Sequence, residues 1–335
     1  MNTKAEIVDV LDGRYSGRLP PPVILTQTGT VGMMERAGVY WPEANFDSEK
    51  MARLALQPHE CFGLATARVP FDVVMQAAAM GCEIRPGTRG TQPAVYGSPW
   101  RLPDGAVPEF PDDLKSVSEM LAHPYLRTII DAAESIYSRE DLFVTSMCVT
   151  GGGIAMHMIG MENMLMGMMM EPDRVKRWVG EMTPYSAAYA RELSEVSDCV
   201  CVITDVLPEI FPPEMIAETV PLNRTIIQSI DQSYSMVHNC GNTLSNVEDL
   251  VSMGSDILSL EMSPAPEAYM EKIGGRCKVL GCISPLGVML PGTPELVKRK
   301  AMGSAELGVD LVGPECGLPP LTPNENVAAL SSYRD

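Results

Sequence analysis

The chain has 335 residues, 45% of them hydrophobic and 20% charged, with a formal net charge of -18. That length supports a sizeable core, and so acidic a surface repels phosphate backbones, so no nucleic-acid partner is expected. Gly, Pro or a charge breaks every apolar run before it reaches bilayer-spanning length, so no membrane partner is expected either.

The N-terminal MNTKAEIVDV carries acids and no apolar run after its lysine, which is not the pattern of a signal peptide. Residues 1–20 read as an N-terminal extension, a helix followed by a Pro-rich entry. From PPVILTQT (21–28) onward, short apolar runs alternate with helical patterns. MARLALQPHECFG (51–63) has helical spacing interrupted by Pro58, and LATARVPF (64–71) is the next strand candidate. Residues 82–100 fit an inserted β-hairpin with turns at Pro86-Gly87 and Arg89-Gly90.

LFVTSMCVT (142–150) then ends at three glycines and opens the Met-rich stretch Ile154–Pro172. Methionine fills irregular gaps, so this stretch reads as a buried or partner-facing helix, with His157 as a packing or hydrogen-bonding residue. Further strands are read at CVCVITDV, YSMVHNCG, ILSLEM, KVLGCISP and DLVGPECG. Helices are read between them at Pro172–Val196, Pro213–Ile230, Leu244–Met253 and Pro294–Leu307.

Strands alternating with helices indicate parallel βαβ units. About eight repeats favour a (β/α)₈ TIM barrel over an open sheet, and no G-x-G-x-x-G follows the first strand. No linker composition appears, so residues 1–335 are expected to form one domain.

YSMVHNCG places His238 and Cys240 two residues apart at a strand end, where both project to one side. The C-terminal ends of barrel strands are where active sites are built. Zinc takes imidazole nitrogen and thiolate sulfur, and the best third ligand is Cys316, which follows the eighth strand. The 75 residues between Cys240 and Cys316 are no obstacle in a closed barrel. Cys199 and Cys201 begin their strand and are expected at the opposite end. Cys282 ends a strand and is a weaker candidate; Cys61, Cys82, Cys148 and Cys277 read as structural. The nine cysteines, an odd number without a disulfide framework, read as reduced thiols in a cytoplasm. Three ligands with an open fourth position point to catalysis.

His-x-Cys-Gly-Asn followed by PECG-x-PP-x-TP (314–323) resembles the zinc-dependent methylcobalamin:coenzyme M methyltransferases of the uroporphyrinogen decarboxylase superfamily. TQTGT (26–30), WPEA (41–44) and MGCEI (80–84) are similar too, while VTGGGIAMHM departs from the family pattern. The resemblance implies a barrel, a zinc ion held by His238, Cys240 and Cys316, and a methylated corrinoid, carried by a corrinoid protein, as the methyl donor. It also implies Glu261 as an acidic residue that closes the fourth position.

Zinc lowers the pKa of a bound thiol, which then attacks the methyl group on cobalt. A small thiol such as coenzyme M is the expected acceptor. An anionic acceptor needs positive charge, for which Arg68 and Arg85 or Arg89 are candidates. Asp205, ending the fourth strand, is a candidate to position a ligand or orient His238. The competing readings are a corrinoid-dependent demethylase, transfer to tetrahydrofolate, a uroporphyrinogen decarboxylase-like enzyme, and a noncatalytic corrinoid- or metal-binding protein.

Overall fold

A computed structural model describes residues 3–103, 105–204 and 213–335. The strands are β1 (Thr66–Arg68), β2 (Glu83–Arg85), β3 (Ala94–Gly97), β4 (Phe143–Val149), β5 (Cys199–Ile203), β6 (Tyr234–Asn239), β7 (Ile257–Leu260), β8 (Lys278–Ile283) and β9 (Leu311–Pro314). β1 and β4 to β9 form one parallel sheet in the order β1-β4-β5-β6-β7-β8-β9. Every residue of β4 and β7 is buried. Strands covered on both faces need such continuous apolar runs, which is why the sequence makes them visible.

The eighth stave is the segment after Pro22. Pro22 bridges Val312 in parallel, and the Val23 N–H donates to the Val312 carbonyl at 2.9 Å. On its other side, the Ile24 N–H donates to Thr66 Oγ1 at 3.4 Å. The expected first strand is therefore shortened to a bridge, and the ladder between this segment and β1 is not completed. Pro20, Pro21 and Pro22 lack the N–H groups that a longer ladder needs. Contact with β9 is close: a Cβ on Gly313 would lie 2.5 Å from the Val23 carbonyl oxygen.

Helices follow the staves and wrap the sheet. Pro294–Leu307 has the expected bounds; Thr293 Oγ1 accepts from the Leu296 N–H, and Pro294 occupies the first turn, where a missing N–H costs nothing. The pattern around Pro58 splits into Ser48–Ala55 and Gln57–Phe62. β2 and β3 pair antiparallel, forming the expected hairpin, and Lys4–Leu11 is the expected N-terminal helix.

The Met-rich stretch forms two helices, Gly151–Ile159 and Met161–Met170, broken at Gly160 with φ 93°. Met158 and Met164 are buried, whereas Met161, Met166, Met169 and Met170 are exposed. The triple glycine permits close packing: a Cβ on Gly151 would lie 2.7 Å from backbone atoms of Val179 and Thr183, on the long helix Pro172–Ser194. His157 is half-buried, and burial, with Arg101 nearby, pushes its imidazole down to about 4, consistent with a packing role. No described helix is long and apolar enough to cross a membrane.

Candidate metal centre and active site

His238, in β6, and Cys240, just past its end, meet Cys316, just past the end of β9, at one end of the barrel. His238 Nε2 lies 3.3 Å from Cys240 Sγ, which lies 3.3 Å from Cys316 Sγ. The three donor atoms all fall within 4.8 Å of one another. This is the juxtaposition expected from the sequence.

Each donor is held by its neighbours. Gly241, with φ 80°, takes the left-handed conformation that turns the chain directly after Cys240. Thr26 Oγ1 donates to the Cys316 carbonyl at 2.9 Å, and the Leu318 N–H donates to the Gln27 carbonyl at 2.9 Å. TQT thus seats the Cys316 loop. Ser259 Oγ lies 3.0 Å from His238 Nδ1 and leaves Nε2 facing the thiols. Asp205, the residue expected to orient His238, lies outside the described residues.

Buried Glu315 ties two strand-end loops together. Its carboxylate accepts from the Ser263 N–H at 2.8 Å and the Ser263 hydroxyl at 2.6 Å. Burial pushes its carboxyl above the usual range.

A cavity of about 780 Å³ opens beside the three donors, lined among others by Arg68, Asp72, Cys201, Glu261 and Glu315. That size suits a small-molecule site. Glu261 lines the cavity, but its carboxylate is outside the compact donor group and accepts from the Gly241 N–H. Burial, and then the Cys316 charge, push the Glu261 carboxyl up. The Cys316 thiol goes the other way, down to about 4, chiefly through its hydrogen bond with Cys240 and helped by His238.

Arg68 lines the cavity and is buried. Arg85 does not line it. Arg85 is exposed on β2 with its guanidinium 5.9 Å from the Tyr96 ring centre, and Arg89 stacks 3.7 Å over Tyr40. These cations turn to aromatic rings, Arg85 to Tyr96 within the hairpin and Arg89 to Tyr40 outside it, so the hairpin gives the cavity Gly90 and Gln92 instead.

Cys201 also departs from expectation. It lines the cavity, because β5 has only five residues and its middle residue lies within reach of the mouth. Burial raises its thiol to about 12. Cys282 does not line the cavity; its Sγ lies 3.5 Å from Ser304 on the outer helix Pro294–Leu307. None of the nine cysteines is in a disulfide.

Sequence reasoning missed Ser259, Glu315, Ser263 and Asp72. Ser259 sits inside the apolar run ILSL, and only the β6–β7 register, which pairs His238 with Ser259, reveals it. Glu315 carried a signal, an acid beside Cys316 at a strand end.

The sequence profile of the uroporphyrinogen decarboxylase (URO-D) family matches residues 3–335. The chain belongs to that family. It is 30% identical over 338 residues to the methylcobamide:CoM methyltransferase MtaA of Methanosarcina barkeri strain Fusaro, covering 99% of this chain and 97% of the relative. It is 27% identical over 321 residues to MtbA, a methylcobamide:CoM methyltransferase of Methanosarcina acetivorans, covering 92% of this chain and 91% of that one. A solved methyltransferase from Methanosarcina mazei superposes with a TM-score of 0.89 at 28% identity, over 100% of this chain and 99% of that one. The resemblance drawn from the two Cys motifs thus holds, and this URO-D family member is a methyltransferase.

The donor set fits a zinc ion: one imidazole nitrogen and two thiol sulfurs converge at a cavity wall, with space for a further ligand. His238, Cys240 and Cys316 would hold it.

Proposed function

We propose that the protein moves a methyl group from a methylated corrinoid, carried by a corrinoid protein, to a small thiol such as coenzyme M. The observation that carries the reading is the convergence of His238, Cys240 and Cys316 within 4.8 Å at a cavity of about 780 Å³. The two relatives named methylcobamide:CoM methyltransferases support the donor and the acceptor.

When bound, zinc supplies a Lewis acid that keeps an acceptor thiol deprotonated near neutral pH. The chain's residues prepare that place. Ser259 fixes the His238 ring, and Thr26 and Gln27 fix the Cys316 loop. Glu261 stands beside Cys316 and His238, and we assign it the role of closing the fourth position until a thiol arrives. The thiol gives its proton to solvent. Its sulfur forms the new S–CH₃ bond while the Co–C bond breaks, leaving the electron pair on cobalt as cob(I)alamin. Because the cavity is sized for a small molecule, the corrin ring stays at the mouth, where its carrier protein docks.

The chain acts in this reading as one barrel domain, with residues 1–20 as an extension and 82–100 as an inserted hairpin. A single core of buried residues running from Ile7 to Tyr333 supports this. Nine cysteines with no disulfide among them fit a cytoplasmic setting.

A relative of Methanosarcina mazei named methylated-thiol–coenzyme M methyltransferase, 26% identical over 334 residues, favours a second reading in which the methyl donor is another thioether. Uroporphyrinogen decarboxylation fits less well. A substrate with many carboxylates needs several cations, and among the described cavity residues Arg68 is the single Arg or Lys.

Metal analysis tests the site. Wild-type protein is expected to hold one zinc per chain and Cys316→Ala far less, with full retention by the variant ruling Cys316 out as a main ligand. Loss of methylcobalamin against a panel of thiols and tetrahydrofolate tests the reaction.

A further inference from the structure

The cavity wall beside the metal donors carries a single described cation, Arg68, at the end of β1. It is 3% exposed. Its Nη1 donates to the Pro70 carbonyl at 2.6 Å, and its Nε has no hydrogen-bond partner among the described residues. It forms no ion pair with any described carboxylate.

The described carboxylate that acts on it, Asp72, is occupied elsewhere. Asp72 accepts from the Tyr125 hydroxyl and, at 3.0 Å, from the Val74 N–H. Burial also pushes the Asp72 carboxyl up, which weakens any compensation of Arg68. The cysteines flanking Arg68 are Cys201, a neutral thiol, and the metal donor Cys316.

A buried guanidinium without a counter-ion is costly to the fold, more so when one of its N–H groups is unsatisfied. Arg68 sits where a substrate can supply both the charge and the acceptor oxygens. A planar guanidinium presents paired N–H groups that match the oxygens of a carboxylate or sulfonate.

We propose that Arg68 reads the tail of the acceptor: the thiol carries a compact anionic group that Arg68 binds inside the cavity while the sulfur lies at the metal donors. This rests on the thiol-transfer reading and adds a specificity-determining residue to it. Cys201, Ile203 and Thr26, which line the same cavity, are uncharged. Selection is then for a short thiol with one negative end, and against neutral thiols of equal size.

The test uses the zinc-loaded full chain with methylcobalamin as donor. Three thiols of similar size are compared: 2-mercaptoethanesulfonate, 3-mercaptopropionate and 2-mercaptoethanol. Wild type is expected to favour at least one anionic thiol over 2-mercaptoethanol by about 10- to 100-fold in kcat/KM, the range of a charge-assisted hydrogen-bond pair. In Arg68→Met that ratio falls to near one, mainly through KM, and Arg68→Lys keeps part of it.

A second measurement does not need turnover. Calorimetry with ethanesulfonate and propionate, which lack the thiol, is expected to show binding to wild type and none to Arg68→Met. Equal use of 2-mercaptoethanol by wild type, or an unchanged ratio in Arg68→Met, overturns the proposal. Should no thiol consume methylcobalamin, the thiol-transfer reading fails by itself. Calorimetry then still decides the anion site: binding by wild type upholds it and no binding rejects it. If Arg68→Met does not fold, the wild-type thiol ratio and wild-type calorimetry carry the decision.

Discussion

Ser259 and His238 are register partners on adjacent strands, and the Ser259 hydroxyl lies 3.0 Å from His238 Nδ1. Through this contact the sheet itself sets the ring that faces the two thiols. Partners of this kind fix the orientation and tautomer of a ligating imidazole, and their loss typically weakens metal binding about 10- to 100-fold. Ser259→Ala is expected to fall in that range in a chelator competition. Unchanged zinc affinity would show that the barrel holds the ring without Ser259.

In the metal-free protein, Cys316 is expected to react as a thiolate at a pH far below that of an ordinary cysteine. Its thiol is lowered to about 4, first by Cys240 and then by His238, so the anion persists above that pH and is lost as pH falls through it. At pH about 6, an ordinary thiol near 8.5 is almost wholly protonated. Iodoacetamide at that pH should label Cys316 and leave Cys201, raised to about 12, untouched. Cys240→Ala should move the onset of Cys316 labelling to higher pH. Mass spectrometry of the labelled peptides reads both results, and equal labelling of Cys201 and Cys316 would count against them.

The strands β4 to β9 were legible because they are mostly apolar runs bounded by turn residues, and buried parallel strands require such runs. The spacing of His238 and Cys240 was legible because side chains alternate along a strand with period two. Cys316 was legible as the residue after the last strand. The first stave was less so: its apolar residues were visible, but the prolines before them removed the donors of a full strand. Cys201 was misplaced because the depth of a cavity inside a barrel leaves no trace in local pattern. The fate of Arg68 and Arg85, one buried at the site and one exposed on the hairpin, depended on contacts between distant segments.

The barrel seam gives a stability prediction. A Cβ on Gly313 would meet the Val23 carbonyl oxygen at 2.5 Å and Leu280 Cδ1 at 3.0 Å. The backbone of the first stave must shift to admit it, and overpacking of this kind costs about 1–3 kcal/mol. Gly313→Ala should unfold at correspondingly lower denaturant concentration with an unchanged slope. An unaltered midpoint would mean that the seam is looser than its contacts indicate.

Glu261 is expected to bind the metal only in the absence of a thiol. With cobalt(II) replacing zinc, Glu261→Gln should change the visible spectrum of the thiol-free protein. After saturation with 2-mercaptoethanesulfonate its spectrum should match that of wild type. Identical thiol-free spectra would remove Glu261 from the coordination sphere.

The central claim is methyl transfer from a corrinoid to a thiol at the His238–Cys240–Cys316 centre. Its most direct test follows methylcobalamin absorbance with 2-mercaptoethanesulfonate for wild type and for Cys240→Ser, with zinc content and circular dichroism on both. Wild type should consume methylcobalamin and form the methyl thioether. Cys240→Ser should keep the fold, lose zinc and lose turnover, because a hydroxyl is a poor ligand where zinc expects thiolate. Normal turnover by Cys240→Ser, or wild-type turnover with tetrahydrofolate and with no thiol, would contradict the account.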